Sequence, residues 1–173
     1  LVAVTLQAEI EITNPDGVST MPADDFFTGP MLTAVMPGDC VTGVRFPIWR
    51  QARIGTGFYE VSARQSDFAF VAAAAQVAMD DSGKCVDAAL GIGGVGDRAM
   101  RLDVSGLIVG SFDKASITDM VREATHVLEP TSDLHASAEY RLRVAVTLGV
   151  RALEDAIKDA QVGSDRAVHG GAQ

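Results

Sequence analysis

From Phe68 to Met79 the chain is an almost unbroken apolar run, interrupted only at Gln76, and no other stretch restricts the fold so strongly. The run is long for a strand and alanine-rich enough to be a helix. Its downstream boundary decides between them. Asp80-Asp81-Ser82-Gly83-Lys84 is a sharp turn, and Val86, Ala88, Leu90 and Ile92 then alternate with other residues. An apolar run, a Ser-Gly turn and a period-two return strand predict a β-hairpin.

The amino-terminal part also reads as strands. Val2, Val4, Leu6, Ala8, Ile10 and Ile12 share one parity and predict a half-buried strand from the start of the chain. A strand that begins at residue 1, which is Leu and not Met, implies upstream sequence. Asn14-Pro15-Asp16-Gly17 predicts a turn between Ala8–Thr13 and a return through Val18–Met21. Pro37-Gly38-Asp39 marks a second turn, after which Cys40–Phe46 reads as a strand stopped by Pro47. Gln51–Gly57, polar and glycine-containing, reads as a linker between two lobes.

Beyond Gly96 the pattern becomes helical. Asp103–Val109 predicts a short helix weakened by glycine. Ser116 with Asp119 three residues on resembles a capping box, and Ile117, Met120, Val121, Ala124, Val127 and Leu128 share one face before Pro130. The last helix is expected from about Ser137 to Ala160, with Leu142, Val146, Gly149, Val150, Leu153, Ala156 and Ile157 as its apolar stripe. Residues 161–173 have little to bury and read as a flexible tail. The fold class is therefore α+β. Residues 1–50 form one lobe, and residues 51–160 form a small antiparallel sheet packed on a three-helix cluster.

Composition removes several functions. A net charge of −9 without a Lys/Arg cluster repels phosphate backbones, so no nucleic acid is expected. Cys40 and Cys85 form no disulfide framework or C-x-x-C pair, which fits a reducing, cytoplasmic setting and leaves no iron–sulfur ligand set. His126, His135 and His169 lack metal-ligand spacing. No apolar run is long enough for a membrane span. No nucleophile–base pair stands out, which argues against a hydrolase.

Gly91-Ile92-Gly93-Gly94-Val95-Gly96 formally matches the dinucleotide-binding G-x-G-x-x-G pattern. That motif needs a helix opening at its last glycine to hold the pyrophosphate. Asp97-Arg98-Ala99-Met100-Arg101 follows instead, so the glycines are read as letting a strand turn close to a neighbouring backbone.

Three segments together resemble one family. They are Gly57–Ala69, which contains Asp67-Phe68-Ala69; Gly93-Gly94-Val95-Gly96-Asp97-Arg98; and Ser137-Ala138-Glu139-Tyr140-Arg141. These resemble the FAD-carrying medium subunit of molybdenum hydroxylases, the carbon monoxide dehydrogenase and xanthine dehydrogenase group. The resemblance covers the chain to about Ala160. It implies that residues 1–50 are the end of an FAD-binding domain and residues 51–160 a complete carboxyl-terminal domain. The glycine-rich loops that grip the FAD pyrophosphate would then lie upstream.

The resemblance also implies site residues. Asp67 and Phe68 occupy the family's G-D-[FYW]-A position, with Ser66 in place of glycine, and would lie against the isoalloxazine ring. On their residue types alone, Phe68 reads as the first core residue of its strand and Asp67 as a strand-start cap. Cys40 and Val41 match the apolar pair of a P-G-E-L-L turn that touches the flavin. Tyr59 stands where some relatives carry a lysine near the ring. Arg141 is expected to pair with a carboxylate and Tyr140 to pack among the helices, both as structural residues. The implied function is electron transfer from [2Fe–2S] clusters in a small subunit, through FAD here, to an external acceptor. A molybdopterin centre would sit in a large subunit, within a dimer of heterotrimers. The alternative is a non-catalytic docking module of such a complex.

Overall fold

The computed structural model describes residues 1–64, 67–109 and 112–169, so Ser66 and the last four residues of the expected tail lie outside it. The elements are α1 (Val2–Thr5), β1 (Glu9–Asn14), β2 (Gly17–Pro22), α2 (Ala23–Phe26), β3 (Phe27–Gly29), β4 (Leu32–Thr33) and β5 (Cys40–Arg45) in the first lobe. The second lobe holds β6 (Arg53–Ser62), β7 (Ala69–Met79), β8 (Cys85–Gly93), β9 (Met100–Leu102), α3 (Gly106–Val109), α4 (Lys114–Ala124) and α5 (Ala138–His169). The fold is α+β, as expected.

The expected hairpin is the centre of the molecule. β7 and β8 pair antiparallel, with Ala73 opposite Ile92 and Ala75 opposite Leu90. They are the inner strands of a four-stranded sheet ordered β6-β7-β8-β9. β7 is buried on both faces, which is why its sequence is continuously apolar. Val71, Ala73, Ala75 and Val77 pack with Leu90, Ile92, Leu148, Ala152, Leu153 and Ala156 in the main core. Full burial of a side chain such as Leu90 or Leu153 contributes about 1.5–3 kcal/mol. Near the hairpin turn the register shifts between Ala78 and Met79, so Cys85 becomes the buried residue and Val86 turns outward. The alternation expected from Val86 thus starts two residues later.

Residues 51–57 are not a linker. β6 begins at Arg53 and pairs with β7 along its whole length, with Gly55 opposite Val77 and Gly57 opposite Ala75. Its glycines face α5. A Cβ at Gly57 would overlap the Ala152 carbonyl oxygen and stand 2.8 Å from that carbonyl carbon. At Gly55 it would overlap the Ala156 carbonyl oxygen and stand 2.9 Å from the Asp159 carbonyl carbon. Strand and helix backbones touch there because no side chain lies between them.

The start of the chain also differs from expectation. Val2–Thr5 is a helical turn; the strand begins only at Glu9, after Gln7 takes a positive φ of 54°. Docking on the sheet overrides the alternation. Val4 and Thr5 are buried, Leu1 lies over Gly93, and the Thr5 side chain occupies the space a Cβ at Gly91 would fill. Arg101 Nη1 donates to the Thr5 carbonyl at 2.7 Å and ties this turn to β9. β1 pairs with β2 and β5 in a separate three-stranded sheet, order β2-β1-β5, whose core is Val4, Ala8, Ile10, Ile12, Ala23 and Phe26.

α4 starts two residues before the expected cap. Asp113 caps it, accepting from the Ala115 and Ser116 amides at 3.0 Å each, while Asp119 pairs with Arg122 instead. Of its expected apolar face, Ile117, Val121 and Leu128 are buried, but Val127 is exposed. α5 remains helical to His169, nine residues past the expected end at Ala160.

Candidate functional site

The four-stranded sheet has two unlike faces. α5 and α4 cover one. On the other, α1 covers only part of β8, leaving a shelf of about 190 Å³ lined by Val2, Leu6, Thr56, Phe58, Ala74 and Gln76. Strand alternation sets which β6 side chains reach it: Gly55, Gly57 and Tyr59 face the helices, while Thr56, Phe58 and Glu60 face the shelf side. Phe58 is 53% exposed. An aromatic ring left open beside small alanine side chains is a surface on which a flat ring can lie.

A second open aromatic stands at the entrance to β7. The Asp67 carboxylate accepts the Phe68 backbone N–H at 2.9 Å and two N–H groups of the Arg64 guanidinium at 3.2 Å each. Asp67 is therefore the local brace of this turn, and Phe68 is thrust outward, 83% exposed. The expectation that Phe68 begins the core is overturned. Phe70, two residues on, stacks on His135 with ring centroids 5.9 Å apart.

The other expected site residues lie elsewhere. Cys40 and Val41 are exposed on β5, opposite Thr13 and Ile12 of β1. Cys40 Sγ lies 3.7 Å from the Val41 carbonyl. Among the described residues, no hydrogen bond or ion pair joins Cys40 or Val41 to Tyr59, Asp67 or Phe68. Tyr59 points away from the shelf and donates its hydroxyl to Asp155 of α5 at 2.5 Å. That bond to a carboxylate, reinforced by partial burial, raises the phenol above its ordinary range. Phe58 and Glu60, which the sequence reading passed over, occupy the outer face instead. Strand parity would have found them had residues 53–62 been read as a strand.

Arg141 holds the region together. It is 6% exposed and donates to the Phe70 carbonyl at 2.6 Å, the Gly94 carbonyl at 2.7 Å and the Asp133 carboxylate at 2.6 Å. One side chain from the start of α5 thus locks the head of β7, the glycine turn after β8 and the loop before α5. The expected ion pair is present. Asp133 also accepts the amides of His135 and Ala136. The Ala136 and His135 amides first, and Arg141 after them, push its carboxyl down to about 2.

The glycine turn itself holds no phosphate cradle. Gly94 has φ +78°, and a Cβ there would come within 2.7 Å of the Phe70 carbonyl oxygen; at Gly96 it would come within 2.7 Å of the Glu129 carbonyl oxygen. Carbonyl oxygens crowd the space that a pyrophosphate would need, and β9 follows in place of a helix. The glycines serve close backbone packing. The glycine turn therefore offers no grip for the diphosphate of a dinucleotide such as FAD. Among the described residues no group of His, Cys, Asp and Glu is placed to hold a metal, and no helix is long and apolar enough to cross a membrane.

Comparison with known proteins gives a consistent set of relatives. Residues 57–156 match the family described as CO dehydrogenase flavoprotein C-terminal domain. The carbon monoxide dehydrogenase medium chain of Afipia carboxidovorans is 32% identical over 153 residues, covering 87% of this chain and 52% of that protein. The 6-hydroxypseudooxynicotine dehydrogenase complex subunit alpha of Paenarthrobacter nicotinovorans is 28% identical, covering 93% of this chain and 55% of that protein. Among solved structures, quinoline 2-oxidoreductase from Pseudomonas putida 86 superposes with a TM-score of 0.82 at 32% identity, over 92% of this chain and 55% of that one. The chain spans about half the length of these relatives.

Proposed function

Because the chain belongs to the CO dehydrogenase flavoprotein C-terminal domain family, we propose that it is the carboxyl-terminal part of the FAD-carrying medium subunit of a molybdenum hydroxylase. In this reading residues 1–50 end the FAD-binding domain and residues 51–160 form the carboxyl-terminal domain, a division supported by the start of β6 at Arg53. FAD, when bound, supplies the electron-transfer chemistry between [2Fe–2S] clusters of a small subunit and an external acceptor. The molybdopterin centre belongs to a large subunit, and the complex is a cytoplasmic dimer of heterotrimers. The exposed and buried free thiols, Cys40 and Cys85, fit a reducing compartment.

The part of this chain is to hold and shield one side of the flavin ring. The observation that carries this is Phe68: an aromatic side chain left 83% exposed beside the Asp67 brace. Burying such a ring against a partner surface contributes favourably, whereas leaving it in water gains nothing. Phe58, on the shelf between β6 and α1, offers a second exposed aromatic surface. Asp67 orients the turn through Phe68's own amide. Cys40 and Val41 remain candidates for the second wall, because their exposed strand edge is also uncovered. Tyr59, spent on Asp155, is a poor candidate for direct flavin contact.

The test is Phe68→Ala in the full-length subunit. The expected result is an altered flavin absorbance envelope or reduction rate, with far-UV circular dichroism unchanged. Flavin spectrum and reduction rate identical to the parent's would refute the assignment of Phe68 to the ring.

A further inference from the structure

The helical face of the second lobe, remote from the shelf, carries a feature that flavin binding leaves unused. Between α4 and α5 runs an open groove of about 670 Å³. Its floor is Leu142, Val146 and Val150, spaced four residues apart along α5, with Leu142 and Val146 only half-buried. Lys114 and Arg122 stand on one side, Arg143 and Arg151 on the other; Glu139 is the single carboxylate in the lining. In a chain with 14 Lys and Arg against 23 Asp and Glu, four cations and one carboxylate line this groove, two of the cations being paired with acids just outside it. Lys114 and Arg122 already pair with Glu154 at 3.8 Å and Asp119 at 2.7 Å. Arg143 lies over the Tyr140 ring, 5.7 Å from its centroid, and among the described residues neither it nor Arg151 forms an ion pair. These two arginines stand eight residues apart on one helix, about 12 Å along its axis.

We infer that this groove docks an acidic amphipathic helix contributed by another subunit of the assembly. The inference rests on the reading of the chain as part of a multisubunit flavoprotein complex. Three features favour a helix over a small ligand. The apolar floor is a ridge of α5 with i, i+4, i+8 spacing, against which another helix can pack, the groove is open to solvent, and the arginines are exposed rather than buried as anchors of an enclosed pocket. The unpaired guanidiniums match carboxylates spaced two turns apart on the incoming helix, flanking an apolar stripe that covers Val146. Charge complementarity of this kind speeds association and selects the partner. A strand of nucleic acid would meet the repulsion of the chain's overall −9 charge.

The test uses the full-length subunit co-expressed with the small and large subunits. Arg143→Glu together with Arg151→Glu should weaken assembly roughly tenfold or more at low salt and flatten its salt dependence. Circular dichroism and flavin content of the isolated subunit should stay at parental values, because both side chains are exposed and lie on the face opposite the shelf. A photo-crosslinking residue placed at Val146 in the assembled complex should capture a helical, acidic peptide of a different subunit. Assembly unchanged by the double reversal overturns the proposal. So does a crosslink to a second copy of the same subunit, or to no protein at all. A parent subunit that carries FAD but enters no complex also overturns it while leaving the flavin reading intact. A parent that binds no FAD removes the reading beneath it.

Discussion

Gly57→Ala adds one methyl group where the β6 and α5 backbones touch. That methyl would overlap the Ala152 carbonyl oxygen and lie 2.8 Å from its carbonyl carbon and 3.0 Å from its Cα. All three are backbone atoms in the middle of α5, so no rotamer change relieves the clash. Ordinary carbon contacts need about 3.5–4.0 Å, so strand and helix must part by roughly 1 Å, and a gap of that size forfeits a quarter to a half of the dispersion energy across the contact. Overpacking costs about 1–3 kcal/mol, and a rigid obstacle places this change near the top of that range. At about 2–4 °C per kcal/mol for a chain of this size, the melting temperature should fall by roughly 6–12 °C. Gly43→Ala on β5 is the control. There the added Cβ meets Glu11 Cβ at 3.6 Å, an ordinary contact. A reduced unfolded-state entropy should leave that variant neutral or more stable by about 0.4–1 kcal/mol. Thermal melts followed by far-UV circular dichroism compare the two. The obstacle at Gly57 is a carbonyl and not a methyl, so adding Ala152→Gly should restore nothing. A Gly57→Ala melt indistinguishable from the parent's, or rescue by Ala152→Gly, would refute the reasoning.

Further outcomes follow from individual side chains. Arg141→Ala leaves the Phe70 and Gly94 carbonyls without their donor and should cost about 3–5 kcal/mol in urea unfolding. Arg141→Lys should recover only part, since an ammonium lacks the forked geometry; a loss below about 1 kcal/mol for the alanine variant would contradict this role. The Asp133 carboxyl is depressed from 3.8 to about 2, so the stability it adds is complete above its unfolded value and lost as pH falls toward 2. The stability gap between parent and Asp133→Asn should therefore close across that interval, and a gap constant with pH would count against it. Native-state thiol labelling should modify Cys40 alone, because Cys85 is buried and burial raises its thiol above the usual range. Rapid labelling of both would show that β8 opens at its start.

Local chemistry made much of this protein legible. The β7–β8 hairpin was readable because a turn needs Gly83, here at φ +82°, and because the β8 alternation expresses one-sided packing. The Asn14–Gly17 turn and the stripe of α5 were readable for the same kind of reason. Arg141's carboxylate partner was foreseen from the family resemblance, but its two carbonyl acceptors were not, since they lie 71 and 47 residues away in the chain. Misreadings fell where a residue's meaning depends on a distant neighbour. Gly55 and Gly57 look like a linker in sequence and act as strand residues because α5 presses against them. The alternation of Val2, Val4 and Leu6 yields to a helical turn because Leu1 and Thr5 fit over Gly93 and Gly91. Period and turn residues act through bonds a few residues long, so the sequence alone determined the β7–β8 hairpin, the existence of α4 and α5, and the α+β class. Which face of β6 carries Phe58 and which carries Tyr59 was decided only when α5 and α1 settled on opposite sides of one sheet. Burial is a property of the assembled layers and not of any single segment.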